Sequence, residues 1–134
     1  MTKFKSNNNV VYSCTYHVVW VTKYRKKYLT GEMEKRLKQV CKEVAKECSF
    51  EISEMECERD HIHMLVDVDP QFGIHKAVKR MKGRSSRILR QEFDILRQRL
   101  PTLWTNSCFV CTVGGAPIAI VKQYIESQKE RAVH

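Results

Sequence analysis

Asp60-His61-Ile62-His63 sets two imidazoles two residues apart at the head of a run, Ile62, Met64, Val66 and Val68, in which every second residue is apolar. That is the period of a half-buried β-strand, and it turns His61 and His63 to one face together with Leu65 and Asp67. Two imidazoles at i and i+2 on one strand face can hold one metal ion. Histidines satisfied by ordinary hydrogen bonds, or exposed and idle, fit the same spacing. A second group lies near the C-terminus, where Tyr124 and Gln128 are one helical turn apart, with β-carbons about 5–6 Å from each other. In isolation such a tyrosine is an ordinary, partly packed aromatic. Beside a metal ion, Gln128 completes a His-His-Gln donor set with His61 and His63, and the Tyr124 hydroxyl comes to lie next to the ion. A phenol with a pKa of about 10 is a poor nucleophile at neutral pH, and a nearby cation is one way to assist it.

These residues need elements to position them. Residues 10–22 read as a long first strand, with Tyr12, Cys14, Tyr16, Val18 and Trp20 alternating against Ser13, Thr15, His17 and Val19. Residues 31–48 carry one apolar stripe, Met33, Leu37, Val40, Cys41, Val44 and Cys48, and read as a helix. Residues 50–58 form a second strand whose parity slips between Phe50/Ile52 and Met55/Cys57, which suggests a bulge near Ser53-Glu54. A turn at Glu58-Arg59-Asp60 leads into the His61 strand. A second helix starts at about Ile74; Gly83 is a point of interruption, and the helical pattern otherwise continues to Pro101. Residues 107–113 are a fourth strand. Gly114-Gly115 follow, and Pro117 suits the first turn of a helix running to about Arg131. The order β-α-β-β-α-β plus one helix predicts an α+β fold, a ferredoxin-like or RRM-like antiparallel sheet with helices on one face. The apolar side of the third strand should meet those helices, leaving His61 and His63 on the open face.

The 134-residue length fits one domain, 1–134, with a polar and flexible stretch at residues 1–9. The net charge is +9, and the basic residues cluster, which favours a polyanionic partner. Lys23, Tyr24, Arg25 and Lys26 interleave cations with an aromatic, as a loop that grips phosphates and stacks a base would, although a solvated turn has the same composition. On the second helix Lys79, Arg80, Lys82, Arg84, Ser85 and Arg87 offer ammonium groups, guanidinium forks and a hydroxyl to phosphate oxygens, against the plainer reading of a solvated face. No apolar run is long enough to span a membrane and the first residues lack a signal-peptide core, so a cytoplasmic protein without a membrane partner is expected. The six cysteines mostly sit in apolar patterns. Cys108 and Cys111 have CxxC spacing within a strand-like run, where their sulfurs would face opposite sides, and no zinc or redox role is expected of them.

The motifs taken together resemble a known family. Tyr16-His17-Val18-Val19-Trp20-Val21-Thr22-Lys23-Tyr24-Arg25, Asp60-His61-Ile62-His63-Met64-Leu65, Lys82-Gly83-Arg84-Ser85-Ser86-Arg87, and Val113-Gly114-Gly115 followed by Tyr124-Ile125-Glu126-Ser127-Gln128 are similar, in that order, to the single-tyrosine HUH transposases of small bacterial insertion sequences. HUH stands for histidine, bulky apolar residue, histidine: here His61, Ile62 and His63. The resemblance implies an enzyme that cleaves and rejoins single-stranded DNA, with Tyr124 forming a 5′-phosphotyrosine link and freeing a 3′-hydroxyl. It implies that His61, His63 and Gln128 hold Mg²⁺ or Mn²⁺, and that no nucleotide cofactor is used. It implies a bacterial or archaeal, nucleoid-associated homodimer that recognises terminal DNA hairpins. The tyrosine helix, residues 117–131, then completes the site of the other subunit, with Gly114-Gly115 as its tether. Two other readings share parts of the pattern: an HUH nickase that initiates replication, and a non-catalytic RRM-like module for single-stranded nucleic acid.

Overall fold

The computed structural model describes residues 5–6, 11–113 and 118–128. A four-stranded antiparallel sheet is built from β3 (Thr15–Val21), β4 (Glu51–Cys57), β5 (His61–Asp67) and β6 (Phe109–Thr112), in the spatial order β4-β5-β3-β6. Helix α1 (Gly31–Cys48) connects β3 to β4, and α2 (Ile74–Glu92) with the short α3 (Asp94–Arg99) connects β5 to β6. This is the expected β-α-β-β-α-β arrangement. The α4 helix (Ile118–Ser127) follows β6.

The alternation in β5 decides which side is core. Ile62, Met64 and Val66 are fully buried or nearly so, whereas His61, His63, Leu65 and Asp67 are half-buried. Opposite them on β3, Val18 and Trp20 join the same core. Leu37, Val40, Cys41 and Val44 of α1 and Ala77, Val78, Met81 and Leu89 of α2 close over it, with α1 packed against α2. Burial of this much aliphatic surface, at about 25 cal/mol per Å², is what holds the helices to one side of the sheet.

Several expectations are sharpened. The first strand is two pieces: β2 (Val11–Tyr12) stops before Ser13-Cys14, and β3 starts at Thr15. The β2 segment pairs with β1 (Lys5–Ser6), so these two residues of the stretch expected to be flexible form a short ribbon. A parity slip between Ile52 and Glu54 is a true register shift against β5. Gly83 does not interrupt α2. A β-carbon there would meet nothing within 4 Å, so only the intrinsic glycine penalty of about 1 kcal/mol acts, too little to break a helix anchored on both sides. The break falls instead at Phe93, where an extended residue (φ −125°, ψ 97°) separates α2 from α3 and lets Leu96 and Leu100 turn into the core. Gly114, Gly115 and Pro117, and the helix expected beyond Gln128, lie outside the described residues.

The face opposite α1 and α2 is only partly open. Paired residues across a sheet point the same way, and Val19 is paired with both His63 and Phe109. The Tyr124 ring lies 5.7 Å from Phe109, and α4 packs against β3. So α4 sits on the histidine side, and Val19 and Val21, which belong to that side, are fully buried.

Candidate active site

His61 and His63 stand side by side on β5 as alternation requires. His61 Nδ1 lies 2.8 Å from Asp60 Oδ1, and the other carboxylate oxygen of Asp60 accepts from Arg25 Nε at 2.8 Å. Burial works against ionising Asp60, but the hydrogen bonds from His61 and Arg25 outweigh it, so its pKa is lowered. Arg25 reaches Asp60 because residues 23–25 form a tight turn with left-handed φ at Tyr24 (60°) and Arg25 (52°). That turn is pinned by Thr22, whose hydroxyl donates to Lys26 O at 2.7 Å and whose N–H donates to Asp60 O at 2.9 Å.

His63 has a partner that sequence reasoning passed over. His17 Nδ1 lies 3.2 Å from His63 Nε2, and the rings stack with centroids 5.5 Å apart. Burial first, and then neighbouring His17, lowers the His63 pKa and favours its neutral form. His17 was legible by parity alone, since it shares the face of Val19. Nothing in its local context, however, marked it as a partner.

The imidazoles fit a divalent ion. Each has one ring nitrogen engaged, Nδ1 of His61 by Asp60 and Nε2 of His63 by His17, and the second nitrogen has no partner among the described residues. One nitrogen fixed and one free is the state a ligating imidazole requires. Among the described residues no three His, Cys, Asp or Glu side chains converge on a common point, so the acidic and imidazole donors here amount to the pair.

Tyr124 and Gln128 come together around Ser107. Its hydroxyl is 2.9 Å from the Tyr124 hydroxyl and 3.4 Å from Gln128 Oε1. Burial raises the Tyr124 pKa, and the hydrogen bond with Ser107 only partly offsets it. Gln128 makes no described contact with His61 or His63. Ser107, Gln128, Thr105, Asn106, Lys23 and Tyr24 line a cleft of about 380 Å³. β5 and β6 flank β3 on its two sides, so the histidines and the tyrosine end lie on either side of the central strand, on one face of the sheet.

Residues expected to hold phosphates divide into two sets. Lys26, Lys79 and Arg87 are exposed, and Lys23 lies 5.3 Å over the Tyr24 ring. The others are committed within the protein. Ser85 is fully buried, donating to Lys82 O at 3.2 Å and accepting from Trp104 Nε1 at 3.1 Å, so the expectation that it touches phosphate is corrected: a hydroxyl under an indole cannot reach DNA. Arg25 braces Asp60. Arg84 makes two 2.7 Å bonds to Glu47; Arg80, by contrast, is exposed like Lys79, 5.8 Å from the Phe72 ring. Lys82 donates to Thr105 O at 2.7 Å and Ser107 O at 2.9 Å. Sequence alone could not separate these sets, because every cation on a helix has the same signature until its neighbours are known. All six cysteines are free thiols.

Comparison with known proteins agrees with this architecture. Residues 10–128 match the family model described as IS200-like transposase. The chain is 34% identical over 131 residues to the ISDra2 transposase TnpA of Deinococcus radiodurans, covering 96% of this chain and 94% of that protein. It is 31% identical over 128 residues to the transposase for insertion sequence element IS200 of Salmonella typhimurium, covering 94% of this chain and 84% of the other. In three dimensions it superposes with a TM-score of 0.82 on the crystal structure of a Deinococcus radiodurans R1 protein assigned as a transposase, at 32% identity over 92% of this chain and 97% of that one. A REP-associated tyrosine transposase bound to a REP hairpin shares the fold at 12% identity, with a TM-score of 0.50 over 91% of this chain and 69% of that one. With its histidine pair, its tyrosine helix and these relatives across nearly its whole length, the chain belongs to the IS200-like transposase family.

Proposed function

We propose that this transposase cleaves and rejoins single-stranded DNA at insertion-sequence ends through a covalent link to Tyr124, using Mg²⁺ or Mn²⁺ and no nucleotide cofactor. One observation carries the reading: the Tyr124 hydroxyl stands on the same sheet face as His61 and His63, beside Gln128. His61 and His63 are the nitrogen ligands in this proposal and Gln128 the oxygen ligand. A bound divalent ion supplies polarisation of the phosphate and stabilises charge developing on it.

The chain's own residues do the rest. The Tyr124 oxygen attacks phosphorus and the phenol gives up its proton. The bond from phosphorus to O3′ breaks, its electron pair goes to O3′, and the strand leaves as a 3′-hydroxyl while the 5′-phosphate stays on the tyrosine. Attack by another 3′-hydroxyl reverses these changes and joins strands without nucleotide hydrolysis. Burial raises the Tyr124 pKa above its ordinary value, so the nucleophile needs help in losing its proton. Among the described residues Lys26, Lys79 and Arg87 are exposed cations suited to the DNA backbone, and the hairpin-bound structural neighbour supports hairpin-bearing DNA as the partner, met in the cytoplasm at the nucleoid. No helix among the described residues is long and apolar enough to cross a membrane.

The proposal includes a homodimer in which the tyrosine helix takes, beside the partner's histidines, the same seat that it holds on its own sheet. In the structure α4 lies on its own sheet, but Val113 and Ile120, on either side of residues 114–117, are large exposed apolar residues, suited to a second surface. Mixing Tyr124→Phe with His63→Ala protein should restore adduct formation that neither makes alone.

The central test is incubation with Mn²⁺ and a single-stranded element end bearing its hairpin. A denaturation-resistant protein–DNA adduct is expected, lost in Tyr124→Phe and in His61→Ala. An adduct that persists in Tyr124→Phe rejects the assignment; hairpin binding with no adduct favours the RRM-like binding module.

A further inference from the structure

We infer that Ser107, held in place by Lys82, is the positioning residue that aims the Tyr124 hydroxyl and ties it to Gln128. The inference rests on the reading of Tyr124 as nucleophile and adds to it two residues with no other assigned part in the chemistry.

Ser107 lies in the segment between the Trp104 bridge to Thr22 and the start of β6. One side of that segment is fixed to the sheet, because Thr105 N–H donates to Val21 O at 3.0 Å. Its other side is fixed to α2 by Lys82, which donates to the carbonyls of Thr105 and Ser107. Two of the three ammonium donors are thereby turned inward, and burial lowers the Lys82 pKa. A lysine so engaged is a clamp on backbone, not a free phosphate ligand.

The clamp fixes a hydroxyl between two polar partners. A serine hydroxyl has one donor and two acceptor sites. Ser107 Oγ lies 2.9 Å from the Tyr124 hydroxyl, a contact in which either oxygen can donate, and 3.4 Å from Gln128 Oε1. One hydroxyl thus joins the Tyr124 phenol to the Gln128 amide oxygen, which keeps a lone pair available. The Tyr124 ring is held independently by Phe109 at 5.7 Å. Ring and hydroxyl are therefore fixed at two points, the condition under which an attacking oxygen is pre-oriented rather than sampled.

The test compares single-turnover adduct formation with DNA affinity and thermal melting in Ser107→Ala, Ser107→Thr and Lys82→Met proteins, with Mn²⁺ and a hairpin-bearing single strand. Ser107→Ala should slow the adduct step at saturating DNA by about tenfold to a hundredfold, with affinity and melting little changed. Ser107→Thr, which keeps the hydroxyl, should restore most of the rate. Lys82→Met should slow the same step without weakening DNA binding or changing its salt dependence. A Ser107→Ala rate within twofold of the parent, or one faster than the parent, overturns the inference, as does a Lys82→Met protein whose defect is weaker, less salt-sensitive binding. If the parent forms an adduct that Tyr124→Phe abolishes while Ser107→Ala is unaffected, only this inference fails. If the parent forms none, the nucleophile assignment falls with it.

Discussion

Asp60 links two regions of the chain that sequence leaves thirty-five residues apart: its carboxylate holds Arg25 with one oxygen and His61 with the other. The residue before an HUH pair thus acts as an orienting partner for the first imidazole, and Arg25, basic and in a basic cluster, is internal wiring. Because the folded-state pKa of Asp60 is lowered from 3.8, the unfolded chain takes up that proton first as the pH falls. Its contribution to stability is therefore complete above about pH 4 and is lost as the pH drops through the lower folded value. Urea unfolding of the parent and of Asp60→Asn should differ by about 1–3 kcal/mol near pH 7 and converge in strong acid. Asp60→Asn should also weaken Mn²⁺ binding by about tenfold to a hundredfold, read by the free-ion EPR signal, since it removes the carboxylate that orients a ligating imidazole. A Mn²⁺ affinity unchanged in Asp60→Asn would remove the orienting role.

At the scale of elements, β5 is the strand where core and chemistry share one backbone. Ile62 is fully buried between two half-buried histidines, so the bulky apolar residue between the imidazoles fixes the strand that aims them. Ile62→Ala should cost about 2–5 kcal/mol and Ile62→Val about 0.5–1.5 kcal/mol by denaturant titration. Mn²⁺ affinity at a temperature where both remain folded should stay near the parent value. A collapse of metal binding in the folded Ile62→Val protein would show that the core sets imidazole geometry more tightly than rotamer freedom suggests. The β5 strand was also the most legible element, because strict alternation over seven residues has one solution once a core is required. The α1 helix was legible for the same reason at period 3.6, and its bounds, Gly31–Cys48, match the expected span. Less legible was anything decided by a distant neighbour. The break at Phe93 reflects where Leu96 must go, and β2 pairs with β1 rather than with the main sheet, a partner that the alternation of residues 10–22 does not show. Ser107 reads from the sequence as the first residue of the fourth strand, but β6 starts at Phe109, and Ser107 acquires a role only once α4 is folded over the sheet.

For the whole molecule, the +9 charge is not spread over the surfaces in the way the sequence clusters suggest. Arg25, Arg36, Arg84 and Arg97 are ion-paired to Asp60, Glu92, Glu47 and Asp94, whereas Lys79 and Arg87 are exposed on α2. The α2 helix covers the sheet face opposite His61 and His63; Lys79, like Lys82, lines a cleft with Thr105 and Asn106 next to Ser107, whereas Arg87 is exposed outside that lining. Grip at Arg87 and cleavage should therefore separate experimentally. Neutralising a phosphate-contacting cation reduces the slope of log affinity against log salt by about one. Arg87→Gln should do this, weakening hairpin DNA binding in low salt while leaving the adduct rate at saturating DNA unchanged. Arg84→Gln should leave the salt slope as it is, since its guanidinium already faces Glu47. If Arg87→Gln slowed the adduct step at saturation with an unaltered salt slope, α2 would be acting on the reacting strand rather than on the DNA that anchors it. The division between grip at Arg87 and cleavage at Tyr124 would then fail.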